Sequence, residues 1–314
     1  MNYGLPYMGS KNALAAKIVE LLPRATHLYD LFCGGSAVTH AAMLSGKWQV
    51  VHNNDLNNGM VQLFSDAVAG KYHDEKRWID RETFLANCKT DAYIGSVWSF
   101  GNNNKNYMYS AEITPWKHAY WAAVVWHDLS EFHEMGIYPP STDRAEVRTY
   151  IRTHHDECKR LYIAWWLKHG ESLQRLESLQ RLESLQSLQS LERLQSLERL
   201  QSLERLQSTS LSYDDVPIAP DSVIYCDPPY RGTSEYTCGG FDHEAFYDWC
   251  CKQTAPVYIS EYNMPEDRFV CEAEFKHVSR LNQKGSTPNK ERVFVPRKQY
   301  NAKSRQLTLF DFGL

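Results

Sequence analysis

From His27 to Asp55 the chain reads as strand, glycine-rich turn, helix and strand in immediate succession. His27 to Phe32 forms the first apolar run, Cys33-Gly34-Gly35-Ser36 the turn, and Ala37 to Leu44 a helix. A second run, Trp48 to His52, ends at Asn54-Asp55. Strands joined through a helix cannot be a hairpin. The crossover makes them parallel neighbours, so the expected class is α/β with a mostly parallel, Rossmann-like sheet.

A helical pattern from Ala13 to Leu22 precedes this unit. Strand-like texture returns only at Ser222 to Cys226, Val257 to Ser260 and Arg292 to Val295. Residues 71–170 between them are aromatic, polar and helix-patterned, so the α/β domain is expected to be split, 1–70 and 209–305, around an insert at 71–170. Nothing approaches membrane-spanning length, and Met1-Asn2-Tyr3-Gly4 has no signal-peptide pattern, so a cytoplasmic protein is expected. The eight cysteines have no metal-ligand spacing and read as reduced packing residues, with no metal site expected. Net charge is −4, yet from Arg268 to Arg305 ten Lys/Arg stand against three Glu. That local basic excess reads as a phosphate-facing surface, or as an ordinary solvated stretch.

Residues 171–208 are low in complexity. Hexads such as Ser-Leu-Gln-Arg-Leu-Glu place leucine at every third position from Leu173 to Leu206. On an α-helix a step of three falls back about 60°, so the leucines wind around the axis instead of forming a heptad seam. The composition favours helix, and Glu171/Arg175 and Glu177/Arg181 are favourable i,i+4 pairs. The expectation is a long helix, roughly 50 Å if unbroken. It would have no single apolar face, tolerated as a surface insertion, with weak self-association through exposed leucines.

The chemistry is concentrated after the strand 222–226. Asp227-Pro228-Pro229-Tyr230 puts a carboxylate, two rigid residues and an aromatic ring at the carboxyl end of a buried strand, where open α/β sheets bind ligands. The prolines fix φ and remove donors, so the Asp227 side chain and the Pro228 carbonyl are preorganised acceptors. Acceptors suit an exocyclic amino group that must become a better nucleophile, and Tyr230 offers a face for a base. The bland alternative is an Asp-Pro turn. The loop Asp30-Leu31-Phe32-Cys33-Gly34-Gly35-Ser36 allows close backbone approach to a ligand, and Asp55 can accept hydrogen bonds from ribose hydroxyls. Tyr7-Met8-Gly9-Ser10-Lys11 opens the first helix with small residues and a cation, or is an ordinary cap.

In these elements the chain resembles the Dam-type family of DNA adenine N6-methyltransferases, particularly phage and prophage members. Tyr7 to Lys11, Asp30 to Ser36, Asn54-Asp55 and Asp227 to Tyr230 match in order, with weaker matches at Trp98 to Asn102 and Ile259 to Tyr262. Cys-Gly-Gly-Ser departs from the commoner Gly-x-Gly-Ser. The resemblance implies a methyltransferase-type sheet, double-stranded DNA as substrate, a helical target-recognition domain in the insert, and S-adenosyl-L-methionine as methyl donor. It places the cofactor on Tyr7, Gly9, Ser10, Lys11, Asp30, Phe32, Cys33, Gly34, Gly35, Ser36, Asp55 and Asp227. Catalysis falls to Asp227, Pro228, Pro229 and Tyr230, acting on a flipped-out adenine.

Asn102, Asn103, Asn104 and Lys105 form a candidate DNA-reading loop, since Asn can pair with adenine and Lys with guanine or phosphate. An Asn-rich turn is the alternative. In the tail 306–314, Gln306, Leu307, Leu309 and Phe310 resemble the peptide that docks into the bacterial sliding clamp. Competing readings are a cytosine-N4 or RNA methyltransferase, disfavoured by Asp at 227 and by the resemblance to DNA enzymes, and a non-catalytic DNA-binding scaffold assembled through the leucine repeat.

Overall fold

A computed structural model describes residues 2–169, 182–200, 203–231, 240–277 and 289–302. The chain divides into two units: Met1–Gly4, Gly9–Ala69 and Arg199–Leu314 form one, Leu5–Met8 and Gly70–Glu198 the other.

The first unit opens with α1 (Ala15–Leu21), which buries Ala15, Ile18 and Val19 and stops before Pro23. Then follow β1 (His27–Asp30), α2 (Ala37–Ser45), β2 (Val50–Asn54) and α3 (Asn58–Val68). Both ends of α2 lie in the left-handed region, Ser36 at φ +55° and Gly46 at φ +63°.

The second unit is helical: α4 (Arg81–Asn87), α5 (Ala92–Trp98), α6 (Thr114–Trp121), α7 (Ser130–Glu134), α8 (Arg144–Thr153) and α9 (His155–His169). Asp80, Asp91 and Asp143 cap α4, α5 and α8 through their carboxylates. The many aromatics form its core: Trp98 packs on Trp121 at 5.0 Å, and Trp78 stacks on Tyr109 at 5.7 Å.

The repeat departs most from expectation. Its described part is no long exposed rod. α10 (Gln186–Gln195) runs for 10 residues and passes into 3₁₀ turns at Ser196–Leu200 and Leu203–Arg205. Leu182, Leu185, Leu188, Leu191, Leu194, Leu197 and Leu200 are all buried. Over so short an α-helix, three leucines in steps of three span only about 120° and share one face. In a 3₁₀ helix, with about three residues per turn, the same spacing stacks them in line. Among the described residues, the leucines from Leu182 to Leu200, expected to be exposed and to drive self-association, are therefore inside. The docking is also polar: the buried Lys117 ammonium donates to the carbonyls of Leu182 (3.2 Å) and Ser184 (2.5 Å), and Trp116 Nε1 to Leu182 O (3.0 Å). Tyr109 shares a hydrogen bond with the fully buried Ser187 hydroxyl at 2.8 Å.

The repeat's end then enters the sheet as β3 (Leu206–Thr209), so the second half of the α/β unit starts inside the repeat and not at 209. The unit closes with β4 (Ser222–Cys226), α11 (His243–Lys252), β5 (Val257–Glu261), β6 (Phe269–His277) and β7 (Asn289–Pro296). The sheet order is β3-β2-β1-β4-β5-β7-β6. The first five strands are parallel, while β7 runs antiparallel between β5 and β6. This is the mostly parallel, methyltransferase-type sheet expected. The chain leaves β1 toward β2 on one side and meets β4 on the other, so the switch point lies between β1 and β4, and a ligand crevice belongs at their carboxyl ends.

Candidate active site

Every strand around the switch point ends in, or just before, a carboxylate. Asp30 closes β1, Asp55 follows β2, Asp227 follows β4 and Glu261 closes β5. Because β7 is antiparallel and pairs Arg292 with Glu261, its Glu291 comes to the same edge.

The loop after β1 is held from within. Asp30 is buried; one carboxylate oxygen accepts from Thr39 N (3.1 Å) and Thr39 Oγ1 (2.7 Å), while Oδ1 has no hydrogen-bond partner among the described residues. Burial pushes its carboxyl up to about 7. Gly34 turns at φ +45° and donates its N–H to Asp55 Oδ2 at 2.8 Å; Asp55 Oδ1 accepts from Asn57 N at 2.8 Å. Burial raises the Asp55 carboxyl as well. Cys33 N donates to Asn54 O (3.0 Å), tying the loop to the end of β2. Gly4 lies over the loop so closely that a Cβ there would stand 2.3 Å from Gly35 O. Phe32 packs among Tyr213, Phe241 and Phe246.

S-adenosylmethionine, which the resemblance implies, fits this donor set. Its hydroxyls and ammonium need acceptors, which Asp30 Oδ1 and the Asp55 carboxylate offer, and Ser10 Oγ is another buried polar atom without a partner among the described residues. Gly9, Ser10, Gly34, Gly35 and Ser36 bring backbone to the same unit, whereas Tyr7 falls in the stretch Leu5–Met8 that packs with the second unit.

Asp227, Pro228, Pro229 and Tyr230 leave β4 together. Lys11 Nζ lies 2.8 Å from Asp227 Oδ1, 3.5 Å from Glu291 Oε1 and 4.7 Å from the centre of the Tyr230 ring. Burial works to lower the Lys11 ammonium, but Asp227 and Glu291 raise it and prevail, so it is a cation in this setting. The Tyr230 hydroxyl donates to Glu291 Oε1, and burial, reinforced by Asp227, raises that phenol far beyond titration. Tyr262 stands edge-on to Tyr230 at 4.7 Å. Pro229 O is 3.0 Å from His243 Nε2, and Arg231 N donates to Glu261 Oε1 at 2.9 Å. Burial moves the Glu261 carboxyl up to about 7.

Sequence reasoning assigned Lys11 to the cofactor; here it stands against Asp227 and Tyr230. It missed Glu291 and His243. Only an antiparallel β7 brings Glu291 to this edge, a register that no local pattern announces.

The candidate loop at 102–105 has structural work of its own. Asn102 and Asn104 adopt left-handed φ near +55°. Asn102 Nδ2 donates to Ser96 O (2.7 Å), and Asn103 Oδ1 accepts from Lys105 N (2.9 Å) and Asn106 N (3.0 Å). Lys105 is exposed. A second concavity, lined by Arg24, Lys47, Trp48, Arg205 and Asp221, opens at the amino ends of the strands. Lys47 donates to the carbonyls of Val19 (3.0 Å) and Glu20 (3.2 Å), and Arg205 to Trp48 O (2.6 Å), so those cations close helix and strand ends. Among the described residues no helix is long and apolar enough to cross a membrane, and no cluster of His, Cys, Asp and Glu is suited to a metal. Gln306 to Phe310 lie outside the described residues.

No curated protein matches the chain. Residues 7–118 match the family model described as D12 class N6 adenine-specific DNA methyltransferase, a span that holds Lys11, the loop 30–36 and Asp55. With Asp227-Pro228-Pro229-Tyr230 at the carboxyl edge of the same sheet, the chain is similar in these elements to the D12 class of adenine-specific DNA methyltransferases, which use S-adenosylmethionine as methyl donor.

Proposed function

We propose that the cleft formed by Lys11, Asp227, Pro228, Tyr230 and Glu291 receives the target adenine, flipped from the duplex, and prepares its N6 for methylation. The observation that carries this reading is the seat of the Lys11 ammonium, 2.8 Å from Asp227 Oδ1 and over the Tyr230 face. It marks a place for a nitrogen donor between a carboxylate and a ring. Adenine N6 is such a donor, and stacked within DNA it cannot reach this depth, so flipping is required.

S-adenosylmethionine, when bound, supplies an electrophilic methyl group on a sulfonium. The protein's task is alignment and charge. Asp227 accepts an N–H from the amino group, which localises the nitrogen lone pair, and the rigid Pro228-Pro229 backbone presents a carbonyl for the second N–H. Tyr230 stacks on the base and fixes its plane. As positive charge builds on N6, the Asp227 carboxylate stabilises it, and the interaction strengthens toward the transition state.

Asp227→Ala tests the reading. Removing a preorganised group that acts on developing charge costs about 10²–10³-fold in rate, and more where it also positions the nucleophile. Transfer of labelled methyl to DNA is expected to be abolished, with DNA binding retained in a mobility-shift assay. Transfer near the wild-type rate would refute the assignment.

The helical unit supplies DNA-sequence recognition in this reading, and exposed Lys105 is its candidate phosphate or guanine contact. The tail at Gln306, Leu307, Leu309 and Phe310 is proposed to dock into the sliding clamp, tested by clamp pull-down with a chain truncated after Arg305.

A further inference from the structure

Glu291 brings to the site a second carboxylate for which the reaction outlined above has no use. It is buried, its Oε1 accepts the Tyr230 hydroxyl, and the same oxygen lies 3.5 Å from Lys11 Nζ. The strand beneath it is pinned: Arg292 pairs in register with Glu261, donates through Nη1 to Tyr262 O (3.2 Å) and through Nε to Glu274 Oε2 (3.1 Å). Lys11 therefore stands between two fixed carboxylates, closer to Asp227 than to Glu291.

Adenine and Lys11 compete for one acceptor. Asp227 Oδ1 cannot serve the amino group fully while an ammonium stands 2.8 Å away, and a buried ammonium deprived of its counter-ion is strongly disfavoured. A second carboxylate within reach removes that obstacle, because the ammonium exchanges one partner for another instead of losing its only one. Resting on the base-binding reading above, we propose that Glu291 is a positioning residue for adenine capture. It takes over the Lys11 ammonium when the base amino group engages Asp227, and holds the Tyr230 ring in stacking orientation through the phenol.

The test uses the full-length enzyme without methyl donor and a duplex carrying its target site, located by mapping modified adenines; the target adenine keeps its N6 amino group, and the neighbouring base is replaced by 2-aminopurine. Its fluorescence reports base capture without any methyl transfer. Glu291→Gln keeps the volume and an acceptor for the phenol but removes the charge. Base capture is expected to weaken about tenfold and KM for DNA to rise in step, with kcat changed far less. Glu291→Asp, which keeps the charge, is expected to stay within about threefold of wild type. The decisive variant is Lys11→Met combined with Glu291→Gln: with no ammonium left to hold Asp227, capture is expected to recover toward wild type. A residue that merely braced the fold would not be rescued this way. Wild-type capture by Glu291→Gln, or a loss that Lys11→Met does not relieve, overturns the inference. If Asp227→Ala is inactive in the same series, the base-binding reading survives that outcome; if Asp227→Ala still methylates, the reading itself fails.

Discussion

Replacing Gly4 by alanine sets a methyl group against the backbone of the loop 30–36 and the start of α2. The added Cβ would stand 2.3 Å from Gly35 O, 2.6 Å from Ala37 N and 2.7 Å from Ala37 Cα. None of these is a side chain that can swing away. Gly4 also sits at φ +67°, where an L-residue is strained by about 1–2 kcal/mol. The clash requires the loop or the N-terminal segment to move by about 1 Å, and a displacement of that size in a positioning element costs up to about 10²-fold in catalysis. Gly46 is the internal control. It has φ +63°, and its Cβ would meet nothing within 4 Å, so Gly46→Ala carries the backbone strain alone. Gly46→Ala is expected to lose about 1–2 kcal/mol in denaturant unfolding, and Gly4→Ala more, because the clash adds to the strain. Only Gly4→Ala is expected to lose S-adenosylmethionine affinity in titration calorimetry, by about tenfold, or 1.4 kcal/mol. Equal cofactor affinities for the two variants would refute the claim that Gly4 shapes the loop.

Two further outcomes follow from burial. Leu194 is fully buried, so Leu194→Ala is expected to destabilise the helical unit by about 2–5 kcal/mol, whereas Gln189→Ala at an exposed repeat position stays within about 0.5 kcal/mol. Tryptophan fluorescence during denaturation measures both, and equal small effects would return the repeat to the surface. Asp30 makes stability fall as pH rises: its carboxyl stays protonated up to about 7 in the fold, while in the unfolded chain it ionises near 3.8. Below about pH 4 it is neutral in both states; between about 4 and 7 the unfolded chain releases a proton that the fold retains, which favours unfolding. Asp30→Asn cannot ionise and still accepts from Thr39, so its stability is expected to gain on wild type across that window and to hold the gain above pH 7. Parallel stability–pH curves would contradict this.

The parallel half of the sheet was readable because β1, β2, β4 and β5 are largely buried runs, each ending at or just before an acidic residue. β3 was not, because Leu206-Gln207-Ser208-Thr209 continues the repeat's triplets and only its pairing with Val51 to Asn54 makes it a strand. β6 alternates its glutamates with apolar residues inside the basic stretch, so charge hid the pattern. The tetrapeptide Asp227-Pro228-Pro229-Tyr230 was legible as a local motif, as were the loop 30–36 and Asp55. Glu291 was not, since its role depends on β7 running backwards beside β5. The repeat was misread by treating one helical geometry as continuous; the chain shortens the α-helix and changes to 3₁₀, where spacing by threes becomes one face.

That geometry makes the repeat a ratchet with teeth three residues apart. Removing one or two residues between Leu188 and Leu197 turns every later leucine out of its seat, while removing a whole triplet returns a leucine to each. Identity within the triplets then selects the tooth. A shift of six residues in either direction brings Arg181 or Arg193 to the fully buried place of Ser187, and a shift of three brings Glu192 or Glu198 to the place where Gln195 donates to the carbonyls of Tyr72 and His73. A monotonous sequence thus carries its own address in its few irregular letters, and the break at Gln186-Ser187-Leu188-Gln189-Ser190-Leu191 is where that address is written.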